Sequence, residues 1–134
     1  MPRHSTGDLT GRCVLIVEDE YIIAQDLVEE FKSRGAEIIG PAPTVERALN
    51  FIEHSKRLDG AVLDINLRGE KSFPIADVLR ERGIPFVFST GYDIAAIPEQ
   101  YRIVPLYEKP RSTAAIADVL SQQIAPLSRQ ERDG

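Results

Sequence analysis

Two stretches of the chain end an apolar run in acid. In "CVLIVEDEYI" the run Cys13–Val17 stops at Glu18, Asp19 and Glu20. In "AVLDINLRGE" the run stops at Asp64, and a loop with Asn66, Arg68 and Gly69 follows. Carboxylates brought together repel: two unit charges ~4 Å apart cost about 4 kcal/mol at an effective dielectric of ~20. Such a cluster must be partly protonated, widely spread or neutralised by a cation. Oxygen-only ligands on loops favour a hard ion, and few protein ligands with several waters favour Mg2+. No HxxxH or CxxC spacing points to zinc, and His4 and His54 stand alone as surface residues.

A plainer reading is local. Acids in the first turn of a helix gain about 0.3–1 kcal/mol each from the macrodipole, and Glu20, furthest into the following helix, fits that role best. Asp64 alone suits a turn ahead of a glycine-containing loop. Two further segments weigh against chance. "FVFSTGYD" sets Ser89 and Thr90 at the end of another apolar run, with Gly91 after them, and "LYEKPRS" sets Lys109 just beyond a fifth. A hydroxyl and an ammonium are donors for an anion, and a metal held by the acids attracts one too. Together they suit a phosphoryl group with charge near −2 beside one carboxylate.

The elements that must position these residues follow from the apolar pattern. Cys13–Val17, "AEIIGPAP", "GAVLDI", "IPFVFST" and "IVPLY" are short apolar runs without strict alternation, as expected of parallel strands covered on both faces. Helical periodicity lies between them. Ala24, Leu27, Val28 and Phe31 share one face of a helix from Glu20 to Ser33, closed by Gly35. Val45, Ala48, Leu49 and Ile52 share a face of a second, with Thr44 as its N-cap. Pro74 opens a third helix bearing Ile75, Val78 and Leu79, and Ser112–Ile124 form the last, with Ile116, Ala117, Leu120 and Ile124 inward. "YDIAAIPEQYR" has room for a helical turn or two, since Pro98 interrupts anything longer. Pro105 suits an edge strand. Strand–helix alternation predicts an α/β fold: a doubly wound, five-stranded parallel sheet with right-handed crossovers and a short or irregular fourth helix. Ligands of such sheets sit at the carboxyl ends of the strands, where the acids, Thr90 and Lys109 all lie.

Composition narrows the function class. A length of 134 residues suits one domain, and 43% hydrophobic with 28% charged residues describes a globular chain. The net charge of −5, with no basic stripe, argues against nucleic acid as a partner. No apolar run has the length of a membrane span, and "MPRHSTGDLTGR" lacks the apolar segment of a signal peptide. The one cysteine, Cys13, has no internal partner and reads as a small buried hydrophobe in a reducing cytoplasm. Residues 1–11 are expected as a flexible lead-in, 12–124 as the domain and 125–134 as a polar tail.

In order and at suitable strand ends, "VLIVEDE", "AVLDINL", "FSTGY" and "EKP" resemble the motifs of the receiver domain of bacterial two-component response regulators, over about residues 12–124. "FSTGY" further resembles the Phe-Ala-Thr-Gly-Tyr class of single-domain receivers, with Ser89 for the usual Ala. The resemblance implies the flavodoxin-like strand order 2-1-3-4-5. It implies Asp64 as phosphoacceptor, Asp19 as a direct Mg2+ ligand with Glu18 acting mostly through water, and the backbone carbonyl of Asn66 completing the set. Thr90 and Lys109 would each meet a phosphoryl oxygen, and the Lys109–Pro110 bond would be cis. The phosphodonor would be a sensor histidine kinase or a histidine phosphotransfer protein. Output would pass by protein–protein contact from a monomer, with no nucleic-acid-binding segment in this chain. By the same resemblance the chain would catalyse its own phosphorylation and dephosphorylation without being a conventional enzyme.

Departures from the commoner receiver pattern also carry expectations. Leu106 stands where many receivers have a switch aromatic, and Tyr107, one residue on, belongs to the opposite strand face. Arg111 replaces an aromatic after Lys-Pro. The segment Tyr92–Arg102 shows few apolar anchors, so with Gly91 as hinge it is expected to shift when Asp64 is modified. The alternative function is an Mg2+-dependent phosphohydrolase of a doubly wound fold with Asp64 as nucleophile. Such enzymes use a second Asp two residues on as acid/base, and Asn66 occupies that position.

Overall fold

The five apolar runs are strands of one parallel sheet. In chain order the elements are β1 (Cys13–Val17), α1 (Tyr21–Ser33), β2 (Glu37–Ala42), α2 (Val45–His54), β3 (Gly60–Asp64), β4 (Asn66–Leu67), β5 (Glu70–Lys71), α3 (Phe73–Glu81), β6 (Phe86–Thr90), β7 (Leu106–Glu108) and α4 (Thr113–Gln123). The computed structural model describes residues 8–90, 97–101, 106–108 and 112–124; of residues 90 and 106–108 it describes the backbone. The main sheet runs β2-β1-β3-β6-β7, and every pairing in it is parallel. Counting only these five strands, the order is the expected 2-1-3-4-5.

Strand alternation divides the core between the two faces of the sheet. Val14, Ile16, Val62 and Val87 pack with Leu27 and Phe31 of α1 and Ile116, Ala117 and Leu120 of α4. Leu15, Val17, Leu63, Phe86 and Phe88 pack on the other face, with Ala48 and Ile52 of α2 and Ile75 and Leu79 of α3. Each helix buries the stripe that its period marks out. Local chemistry sets the ends: Thr44 Oγ1 accepts the Arg47 N–H at 3.1 Å, and Ser112 Oγ accepts that of Ala115 at 3.4 Å. Gly35 follows α1 with φ +92°, the left-handed conformation that glycine adopts without steric cost. Arg34 joins the two helices of one face, donating to Glu30 at 2.8 Å and Asp118 at 2.7 Å.

Three features depart from the expectations. The loop after Asp64 is a small antiparallel hairpin, with Asn66 opposite Lys71 and Leu67 opposite Glu70. Packing begins ahead of the expected boundary at residue 12: Leu9 is buried, and its N–H donates to the Arg34 carbonyl at 2.9 Å. In the segment expected to have few apolar anchors, Ile97 and Tyr101 are both buried in the core, and Glu99–Tyr101 form a 3-10 turn. Residues 91–96, which include the Gly91 hinge, lie outside the described residues, as do Lys109, Pro110 and Arg111. Among the described residues no helix is long and apolar enough to cross a membrane.

Candidate functional site

Sheet register brings two of the acid-ended strands side by side. Val17 of β1 pairs with Leu63 of β3, so Glu18 and Asp64, one residue further on each strand, emerge together at the carboxyl edge. Asp64 in turn lies opposite Ser89 of β6. One carboxylate oxygen from each of Glu18, Asp19, Glu20 and Asp64 falls within 4.8 Å of all the others. Glu18 and Asp64 are only 2% and 4% exposed; Asp19 is half-buried and Glu20 open to solvent. At that spacing each pair of ionised carboxylates repels by about 3.5 kcal/mol at an effective dielectric of ~20, and burial of two of them adds to the cost of the charged forms, which protonation or a bound cation relieves.

Backbone donors hold the cluster in shape. The Glu20 N–H donates to Glu18 Oε2 at 3.1 Å, and the Asn66 N–H donates to Asp64 Oδ1 at 3.3 Å. Across the hairpin, Lys71 Nζ stands 3.5 Å from Asn66 Oδ1. The donor set is all oxygen and anionic, which fits a hard divalent ion such as Mg2+ and no thiophilic metal.

Glu20 is the residue whose place differs from the sequence reading. It is the N-cap of α1, with extended backbone, but its side chain makes no capping hydrogen bond. Its carboxylate turns toward the other three instead. The signal lay in its neighbours: a third acid directly after two others at a strand end can cap or ligate, and sequence alone does not separate the two. Immediately after it, Tyr21 and Ile22 are 75% and 74% exposed, the large apolar side chains that stand open among the described residues.

On the far side of Asp64, Phe88 pairs with Leu106, Ser89 with Tyr107 and Thr90 with Glu108. The backbone of Thr90 thus ends β6 at the edge that holds the acids. The contacts of its side chain, and the position of Lys109, lie outside the described residues.

No family model matches the chain. Over 119 residues it is 33% identical to the phyllosphere-induced regulator PhyR of Methylorubrum extorquens, a match that takes in 83% of this chain and 43% of that protein. The chain therefore spans less than half the length of that curated relative. Among solved structures it is similar to SdrG from Sphingomonas melonis Fr1, at 38% identity and a TM-score of 0.73, covering 84% of this chain and 95% of that one. The BeF3-activated conformation of SdrG from Pseudomonas melonis Fr1 matches at 40% identity and a TM-score of 0.66, covering 81% and 95%. The receiver domain of the PhyR response regulator from Erythrobacter litoralis matches at 26% identity and a TM-score of 0.73, covering 89% and 97%. Matches that take in 95% of SdrG and 97% of the PhyR receiver domain lead to one assignment: this chain belongs to the receiver domains of two-component response regulators.

Proposed function

We propose that this receiver accepts a phosphoryl group on Asp64 from the phosphohistidine of a sensor histidine kinase or a histidine phosphotransfer protein, and signals by contact with a further protein. The observation that carries the reading is the convergence of four carboxylates within 4.8 Å, Asp64 among them. Glu18, Asp19 and Asp64 would hold Mg2+, with the backbone carbonyl of Asn66 as a fourth protein ligand. Bound there, the ion supplies charge neutralisation for the transferring phosphoryl oxygens. Thr90 and Lys109 serve as hydroxyl and ammonium donors to those oxygens; what supports them is the order of motifs and the end of β6 beside Asp64. In the transfer, an Asp64 carboxylate oxygen bonds to phosphorus as the P–N bond of the donor breaks, and the imidazole nitrogen keeps the electron pair. Similarity to SdrG, which has a BeF3-activated conformation, supports a phosphoryl-type ligand at this edge.

Tyr21 and Ile22 suit the same reading from the partner's side. Two exposed apolar side chains next to a charged site offer a contact that desolvates when a protein docks. A reducing cytoplasm, a monomer and a receiver unit of about residues 12–124, extended back to Leu9, complete the proposal. The test is transfer from a panel of phosphorylated histidine kinases to the purified chain, with and without a chelator. Label should reach the wild type only with Mg2+ and should not reach Asp64→Asn. Equal labelling of the two proteins would refute the assignment.

A further inference from the structure

The last strand, β7, has Leu106 where many receivers have an aromatic, while the neighbouring strand β6 meets an aromatic from elsewhere in the chain. Tyr101 stacks on Phe73 with ring centroids 4.7 Å apart and planes 11° from parallel. It meets Phe88 edge-on at 6.2 Å, and Phe73 also meets Phe88 at 6.1 Å. Tyr101 Oη donates to Asp77 Oδ1 on α3. On the same helix Arg80 lies over the Tyr101 ring at 5.8 Å and donates to the Gln100 carbonyl at 3.1 Å. Turn 99–101 is therefore bound to α3 by a ring stack, a charge-assisted hydrogen bond and a cation over the ring.

Phe73 carries this attachment back toward Asp64. It is the first residue of α3, and the preceding Ser72 N–H donates to the carbonyl of Ile65 at 2.8 Å. Ile65 directly follows Asp64, whose Oδ1 accepts the Asn66 N–H. A group added to Asp64 occupies one of its two oxygens and adds negative charge beside that hydrogen bond, at a side chain only 4% exposed. The hairpin must then readjust, and its closing end is the residue pair that seats Phe73 under Tyr101.

We propose that Tyr101 is a conformational latch: it holds turn 99–101 on α3 while Asp64 is unmodified, and is released when Asp64 carries a phosphoryl group. The inference rests on the phosphoacceptor reading. Differential seating of Phe73 in the two states is the physical cause, and by linkage the effect is reciprocal. Loosening the latch must tighten binding of a phosphoryl mimic at Asp64.

The test uses the full chain, beryllofluoride with Mg2+, and amide exchange at position 101, whose N–H donates to the Pro98 carbonyl at 3.0 Å. Tyr101→Phe keeps the ring, and Asp77→Ala alters an exposed residue, so both should fold. In the unmodified protein each should raise exchange at position 101 roughly tenfold, with β3 amides unchanged. Beryllofluoride should raise wild-type exchange there by a similar factor and add little in either variant. Both variants should bind beryllofluoride up to about tenfold more tightly. Bound fluoride with unchanged exchange at position 101 would overturn the latch and leave the phosphoacceptor reading standing. No bound fluoride at all would overturn that reading and the latch with it.

Discussion

At the scale of single residues, the acid cluster is the feature on which the rest depends, because its geometry is unfavourable for folding alone. Removing one charge should therefore help the metal-free protein while harming its chemistry. Asp19→Asn is predicted to raise stability without Mg2+ by about 1 kcal/mol, to lose most of the Mg2+-dependent gain in Tm, and to slow labelling by a small phosphodonor at least about a hundredfold. Denaturant melts with and without Mg2+, alongside labelling rates, check all three. Cys13 behaves in the opposite way, as structure rather than chemistry. Burial, followed by the nearby charges of Glu37 and Asp59, pushes its thiol above the usual 9.0. Iodoacetamide should thus alkylate the native chain on the order of a hundredfold more slowly than the unfolded one. Because the thiol ionises more readily when unfolded, its contribution is intact below pH 9.0 and fades as pH rises through the folded value. Both residues were legible as types in the sequence. Glu20 was less so, since a carboxylate at a helix start gives the same sequence signal whether it caps or joins a cluster.

Among the elements, legibility followed periodicity. β1, β3 and β6 carry unbroken apolar runs, and the helices carry stripes such as Ala24, Leu27 and Phe31, so their existence and their buried faces could be read directly. The hairpin could not: strands of two residues carry no period, and Arg68 at its tip has φ 54° where glycine is the usual choice. The anchoring of residues 97–101 was hidden for another reason. Ile97 and Tyr101 are isolated apolar residues around Pro98, and only the tertiary fold shows that both enter the core and that α3 supplies partners for Tyr101. Gly35 tests the element ends. A Cβ there would stand 2.9 Å from Thr10 Cα, on a backbone at φ +92°. Gly35→Ala is predicted to cost about 1–3 kcal/mol in chemical denaturation and to raise exchange at the Leu9 amide. At the start of α1, Ile22→Asp should slow transfer from a kinase at least about tenfold while leaving labelling by a small phosphodonor unchanged. Equal loss with both donors would show that Ile22 acts on the site and not on the partner.

On the scale of the whole molecule, the fold and the site are one consequence. The strand order places β1 and β3 side by side inside the sheet, and parallel pairing sends the carboxyl ends of its strands to the same edge. A chain whose first and third apolar runs stop in acids and whose fourth stops in Ser89 and Thr90 must then gather those residues in one place. That is why motif order sufficed to read the fold class and strand order, while the distances between carboxylates needed the structure. The claim at the centre of this account is that Asp64 carries the phosphoryl group. Its most direct test is borohydride trapping of the phosphorylated chain followed by peptide mass spectrometry. The account predicts reduction at Asp64 and at no other residue, abolished in Asp64→Asn; stable phosphate on Ser89, Thr90 or His54, or trapping at Asp19 with Asp64 untouched, would contradict it.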